Sequence, residues 1–233
     1  MRLDLAVLRT LVAYGRPIVR GELPLDACDR VLTEKRWIRA SEIVRGEETF
    51  LDTGAFFARG REEGWVPTLS TALALELWLE TEVEAFLSSL ARRPDAVSPA
   101  AAFDLFLRST GRRPKGAAPE TSVAEATELL EDVLEALVAL GERTSLGGWE
   151  RGFAETLALL EAGAASDWDA LPLGAPADVR ALAAAAERAD VFGGMGSWND
   201  FVLDDPVLEA ERGRLSARLF EAVRVAVVVS TNV

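Results

Sequence analysis

Thr68 to Ala91, TLSTALALELWLETEVEAFLSSLA, decides how the middle of this chain is read. Leucine stands at 69, 73, 75, 77, 79, 87 and 90, joined by Trp78 and Phe86. This spacing predicts one long helix with a wide apolar face. On that helix Glu76, Glu80 and Glu84 fall at i, i+4 and i+8, and each like-charged neighbour costs about 0.2–0.5 kcal/mol. Solvation, pairing with Arg92, Arg93 or Arg108, or a metal or basic partner can offset such a row. A carboxylate-bridged dimetal site cannot, because its Glu-x-x-His element needs a histidine and the chain has none.

Upstream, leucine or valine at 3, 5, 7, 8, 11 and 12 predicts a helix that ends at Gly15 and Pro17. A second helix is expected over about Leu25 to Lys35. Trp37 to Val44 then reads as a strand, Gly46-Glu47 as a turn and Thr49 to Leu51 as the returning strand. Arg36-Trp37-Ile38 and Leu51-Asp52-Thr53-Gly54 are similar to the wing region of winged-helix domains. Between Ile18 and Ile38, however, there is room for one helix where a DNA-reading domain needs two.

Downstream, Ser98-Pro99 is expected to cap a helix running through Leu107. Gly111 to Pro119 has no apolar period and reads as a linker, with Arg112, Arg113 and Lys115 as a solvated basic cluster. Ser122 and Glu125 form a capping box at the start of a further helix. Its Leu129, Leu130, Val133, Leu134, Leu137 and Val138 face inward, while Glu125, Glu128, Glu131, Asp132 and Glu135 lie on the other side. Helices over about Trp149 to Glu161 and Asp178 to Ala189 follow, separated by a polar loop containing Trp168. Asp205-Pro206 starts the last helix, whose Leu208, Leu215, Leu219, Phe220 and Val223 can pack inward.

Before that last helix the helical pattern is interrupted by Val191-Phe192-Gly193-Gly194-Met195-Gly196-Ser197-Trp198-Asn199-Asp200-Phe201. Gly193 or Gly194 can serve as a left-handed cap of the preceding helix, and Ser197 stands at capping-box distance from Asp200. Phe192, Met195, Trp198 and Phe201 give the loop four apolar anchors. No lysine follows the glycines as a P-loop requires, and Asn199 stands where a dinucleotide fingerprint needs glycine.

Gly193 to Asp200, with the apolar run and amphipathic helix that follow, resembles an uncharacterised bacterial helical domain family with a Gly-Gly-Met-Gly-Ser-aromatic-Asn-Asp signature. Leu129 to Leu140, a Gly141-Glu142 turn and Trp149 fit the family's upstream half, so that the resemblance covers about residues 122 to 226. It implies a compact helical domain and brings no established activity.

Composition narrows the functions. Hydrophobic residues make up 49% and charged residues 27% of the 233, the balance of a globular chain. No run approaches the roughly 20 apolar residues of a membrane span, and the early acid Asp4 does not suit a signal peptide. A cytoplasmic protein is expected, with no membrane association. Without histidine, Ser-His-Asp and Cys-His chemistry and histidine metal sites are excluded; Cys28 is a lone thiol, and Lys35 and Lys115 are the only lysines. The net charge is −13, and residues 63–233 hold 14 Arg and Lys against 28 Asp and Glu. That field disfavours nucleic acid and favours a basic protein partner.

The expected fold is mainly α, with all-α character in the C-terminal half. A helix-plus-hairpin unit spans 1–64, a helical segment packed on it 65–111, a linker 112–121 and a helical domain 122–233. No catalytic residue, cofactor or metal ligand is assigned. The expected function is a non-catalytic, acidic interaction module, immunity or regulatory in kind, with Gly193, Gly194, Met195, Gly196, Ser197, Trp198, Asn199 and Asp200 as the candidate interaction or ligand loop. Trp198, Asn199 and Asp200 are its contact residues. One alternative is a ligand-binding protein or enzyme in which Ser197, Asn199 and Asp200 stand above a pocket, Asp200 serving as base or oxygen ligand. The other is a DNA-binding regulator using residues 1–62, with Arg36, Arg39 and Arg45 on phosphate.

Overall fold

A computed structural model describes residues 3–34, 38, 40–70, 72–80, 82–92, 103–114, 121–163, 171–172, 174–192 and 196–233. Helices α1 (Leu3–Arg20) and α2 (Ala27–Glu34) precede a hairpin of β1 (Ala40–Arg45) and β2 (Glu48–Phe50). Helix α3 (Thr53–Glu63) leads into β3 (Val66–Leu69), β4 (Leu75–Trp78), β5 (Glu82–Arg92) and β6 (Phe103–Pro114). Four helices complete the chain: α4 (Val123–Arg143), α5 (Trp149–Glu161), α6 (Ala177–Ala189) and α7 (Pro206–Thr231). The strands form one sheet in the order β2-β1-β6-β5-β4-β3, parallel between β1 and β6 and antiparallel elsewhere.

The chain is therefore an α/β protein and neither mainly α nor all-α. The long helix expected over Thr68 to Ala91 is three strands, and the helix expected through Leu107 is the first part of β6; Ser98 and Pro99 lie outside the described residues. Leu69, Leu75 and Leu77 fall on one face by the two-residue alternation of a strand, and all three are fully buried. Two turns without glycine or proline make the hairpins. In the first, Leu73 takes φ 57° and its N–H donates to the Ser70 carbonyl. In the second, the Leu79 N–H donates to the Glu82 carbonyl.

The expected row of carboxylates is dispersed. Glu76 lies opposite Ala85 and Glu84 opposite Leu77, so the two acids point to opposite faces of the sheet, and Glu80 sits in the connection. Glu84, 4% exposed, is paired with Arg45 (2.8 Å) and Arg112 (3.4 Å), neither of which sequence spacing brings near it. The expected linker also begins as a strand, because Arg112 and its neighbours finish β6; Lys115 lies outside the described residues.

The inner face of the sheet packs on α1 and α3. Phe56 is the centre of an aromatic group, with ring centroids 5.3 Å from Phe57, 5.1 Å from Trp65, 5.6 Å from Phe50 and 5.9 Å from Phe86. Helix α3 starts here because the Asp52 side chain accepts from the Ala55 N–H, and Asp29 of α2 accepts from the Thr53 and Gly54 N–H groups. Helix α1 does not stop at Gly15 and Pro17 but runs on to Arg20. A Cβ on Gly15 would lie 2.4 Å from the Phe57 ring, so glycine here allows α3 to close onto α1. On the opposite face of the sheet, Leu87 and Phe106 are exposed.

One continuous core runs from Ala6 through the sheet to Val229. Helices α4 to α7 pack on one another, and α7 also packs on α1 and β3. Polar contacts fix that junction. Arg9, 1% exposed, donates from Nε to Thr231 Oγ1 (3.3 Å) and stands 4.0 Å from Glu187. The Asn232 side chain behaves as a strand substitute on the edge of β3, its Oδ1 accepting from the Leu69 N–H and its Nδ2 donating to the Leu69 carbonyl, both at 2.8 Å. Edge strands carry unpaired backbone groups, and this amide covers one residue of them. Replacing Asn232 with alanine is expected to cost about 1–3 kcal/mol, the penalty for leaving part-buried polar groups unsatisfied. Chemical denaturation of the N232A variant measures it; an unchanged midpoint shows that water replaces the amide.

Candidate functional site

The glycine loop is built around an indole. Trp198 is fully buried, with its ring edge-on to Trp149 (5.9 Å) and Phe153 (5.2 Å) and stacked on Phe201 (5.7 Å). Its Nε1–H donates to Ser216 Oγ at 2.6 Å, and the Arg212 guanidinium lies 5.3 Å from the ring centroid. Trp149 and Phe153 stand at i and i+4 on α5, so one face of that helix receives the indole. Trp149 and Trp198 therefore meet in space, and Gly141-Glu142, expected as a turn, lie inside α4.

The polar groups of the loop are engaged locally. The Trp198 N–H donates to the Val191 carbonyl (3.2 Å), which closes the loop on itself. Gly196 has φ 79°, a conformation that glycine adopts without strain, and its N–H donates to Asp200 Oδ2 at 2.7 Å. The carboxylate expected to act as a base or ligand thus holds its own turn, and Ser197 makes no side-chain cap to the short 3-10 turn of Trp198–Asp200. Helix α6 ends at Ala189, and its C-cap is Asp190 (φ −75°, ψ 76°) in place of a left-handed glycine. Gly193, Gly194 and Met195 lie outside the described residues. Asn199 and Asp200 are exposed, whereas Trp198 cannot reach a partner without opening the core.

The loop's exit is clamped to α7. Glu209 accepts from Arg212 Nη2 (2.6 Å) and Nε (2.7 Å) and from the Leu203 N–H (2.9 Å). The Arg212 hydrogen bonds, with the Leu203 amide, hold the Glu209 carboxyl down at about 2. Around this clamp α7 starts where expected, with the Asp205 side chain accepting from the Val207 and Leu208 N–H groups. Of its expected inward residues, Phe220 is half exposed and lies edge-on to Phe192 at 5.4 Å.

A second candidate surface lies on α4. The capping box forms as expected: Ser122 Oγ accepts from the Glu125 N–H, and Glu125 accepts from the Ser122 N–H at 2.7 Å. Beyond it, Glu128, Asp132 and Glu135 are exposed, and Leu129, expected to face inward, is 49% exposed among them. Burial, and then the charges of Glu135, Glu161, Glu128 and Asp132, push the Glu131 carboxyl above its ordinary value. The first base on α4 is Arg143, and it is paired with Glu211 at 2.7 Å. This is a concentrated negative field along one exposed helix face.

Other readings meet different geometry. Arg45, expected on phosphate in a DNA-binding unit, is buried against Glu84 and Glu63 (2.9 Å) with its guanidinium 4.3 Å from the Trp65 centroid. Arg36 and Arg39 lie outside the described residues. Cys28 is fully buried beside the Thr10 carbonyl, and burial pushes its thiol far up, which removes the thiolate needed for reactivity. Among the described residues no group of three or more acidic or cysteine side chains is placed to hold a metal ion, and no helix is long and apolar enough to cross a membrane. No family model matches the chain, and neither a curated protein nor a solved structure matches it.

Proposed function

We propose that this chain is a non-catalytic interaction protein of the cytoplasm, immunity or regulatory in kind, which covers a basic surface of another protein. The observation that carries this reading is the outer face of α4, where exposed Glu128, Asp132 and Glu135 flank exposed Leu129 on a helix whose first base is Arg143. A row of exposed carboxylates on one helix face attracts a cationic partner surface, and an apolar residue amid them adds area to bury. The contact therefore moves from Trp198, which is sealed, to α4, with Asn199 and Asp200 as the loop's exposed polar groups. The likeness of residues 122–226 to the bacterial signature family forms part of the same reading.

The test is isolation of the native protein from its own cells at low salt, with and without the triple charge reversal E128K/D132K/E135K. All three positions are exposed, so melting of the variant should stay close to that of the parent. The expected result is one basic protein in fixed ratio with the parent, released by salt and absent from the variant. A stoichiometric companion that survives the reversal, or none with the parent, rules this surface out.

A further inference from the structure

A cleft of about 600 Å³ opens where the end of α1, edge strand β3, the β4–β5 connection, the first turn of α4 and the last turn of α7 converge. Its size lies within the range of small-molecule sites. Val66, Trp78, Val123 and Val228 form an apolar wall, and among the described residues Arg16 is the cation in the lining.

Arg16 differs from the three buried arginines. Arg9 faces Glu187, Arg45 faces Glu84 and Glu63, and Arg212 faces Glu209. Arg16 has no carboxylate within 4 Å among the described residues. Its single hydrogen bond is a long one, from Nη1 to the Pro67 carbonyl at 3.4 Å, and its Nε is buried without a partner. Burial, then the charge of Arg20, lowers its pKa from the ordinary arginine value, but a guanidinium stays protonated. A half-desolvated cation without a counter-ion is costly unless an anion arrives. The first turn of α4 borders the same cleft through Ser122 and Val123, but the Glu125 carboxylate of the capping box already meets its terminal charge, so an anion falls to Arg16.

Glu80 bounds the charge of the ligand. It lines the cleft and is exposed, so a dianion such as phosphate would meet a carboxylate there. We propose that this cleft binds an organic monocarboxylate, with its carboxylate on Arg16 and its apolar body along Val66, Trp78, Val123 and Val228. The carboxylate can belong to a free acid or to the end of a short apolar peptide; both present the same chemistry.

The experiment is calorimetric titration of the full chain with octanoate and with octanamide, which differ only in the charged head. The expected result is saturable one-to-one binding of octanoate, with octanamide weaker by about tenfold or more, as loss of a charge-assisted contact predicts. In Arg16→Gln the preference for the acid disappears. Val66 is 42% exposed, so Val66→Glu should fold even if the first variant does not, and it should weaken octanoate more than octanamide, since both lose apolar wall but only the acid meets a like charge. An acetylated Ala-Val-Leu tripeptide, free or amidated at its end, distinguishes a chain terminus from a free acid. Equal binding of acid and amide by the parent, binding of neither octanoate nor the free tripeptide, or an unchanged preference in R16Q overturns the proposal.

Discussion

Replacing Trp198 with alanine is expected to destabilise the protein by about 3–5 kcal/mol, the cost of emptying a large aromatic from a packed site. At this chain length that corresponds to a fall in melting temperature of roughly 6–20 °C. The indole holds together three parts of the C-terminal half: Trp149 and Phe153 on α5, Phe201 beyond the turn, and Ser216 and Arg212 on α7. Trp198→Phe keeps an aromatic ring but loses the hydrogen bond to Ser216 and part of the indole volume, so its cost should be smaller, about 1–3 kcal/mol. Thermal melting followed by near-ultraviolet circular dichroism compares the two. A W198A variant as stable as the parent would show that the loop is an attachment to the fold and not one of its supports.

The second large effect lies at the other end of the molecule. Removing the Arg45 charge by Arg45→Met should cost about 3–5 kcal/mol, because Glu84 is then left buried without its principal cation. The double variant R45M/E84L should recover most of that loss, since a buried ion pair exchanged for apolar volume is often neutral. Denaturant midpoints of the single and double variants decide it; a double variant no better than the single shows that the alkyl stem over Trp65, and not the charge pairing, carries the stability.

The same pairing sets an acid limit. Burial alone would raise the Glu84 carboxyl, but hydrogen bonds from Ser109 and Arg45 and the charges of Arg45 and Arg112 outweigh it and hold it below 4.5. Burial likewise works against Glu63, and the Trp65 indole and Arg45 lower it in the same way. Both acids contribute stability that is fully present above the unfolded value of 4.5 and is lost as pH falls through their lower folded values. Denaturation midpoints from pH 6 to 3 should therefore fall more steeply in the parent than in R45M.

Where local signals were strong the sequence was sufficient. Ser122 with Glu125 and Asp205 with Pro206 mark helix starts through contacts a few residues apart, and the β1–β2 hairpin turns on Gly46-Glu47. The central sheet was not legible because leucines at 69, 73 and 77 satisfy a helical spacing while 73, 75, 77 and 79 satisfy a strand. Turns at Leu73 and Leu79 lack the glycine or proline that would have separated the two. Helix α3 has a local cap in Asp52, but Leu51-Asp52-Thr53-Gly54 also reads as a wing, and its other anchor, Asp29, lies 24 and 25 residues away in sequence.

The candidate site divides in the same manner. The acidic face of α4 follows from the spacing of charges on one helix. The sealed position of Trp198 needed α5 and α7 to be brought around it, and Trp149 and Phe153 one helical turn apart were the sign available. Nothing in the order of residues announces that Arg16 would meet no carboxylate among the described residues while Arg45 finds Glu84, 39 positions later.

The Asn232 contact with Leu69 joins positions 163 apart. At about 5–20 residues per second, a ribosome takes roughly 8–33 s to travel from one codon to the other. During that interval the Leu69 edge of the nascent sheet can form but stays open to pairing with a neighbouring chain. The Asn232 amide therefore covers the Leu69 edge only after α7 has been made, and a chaperone that shields a nascent sheet edge has its window before then.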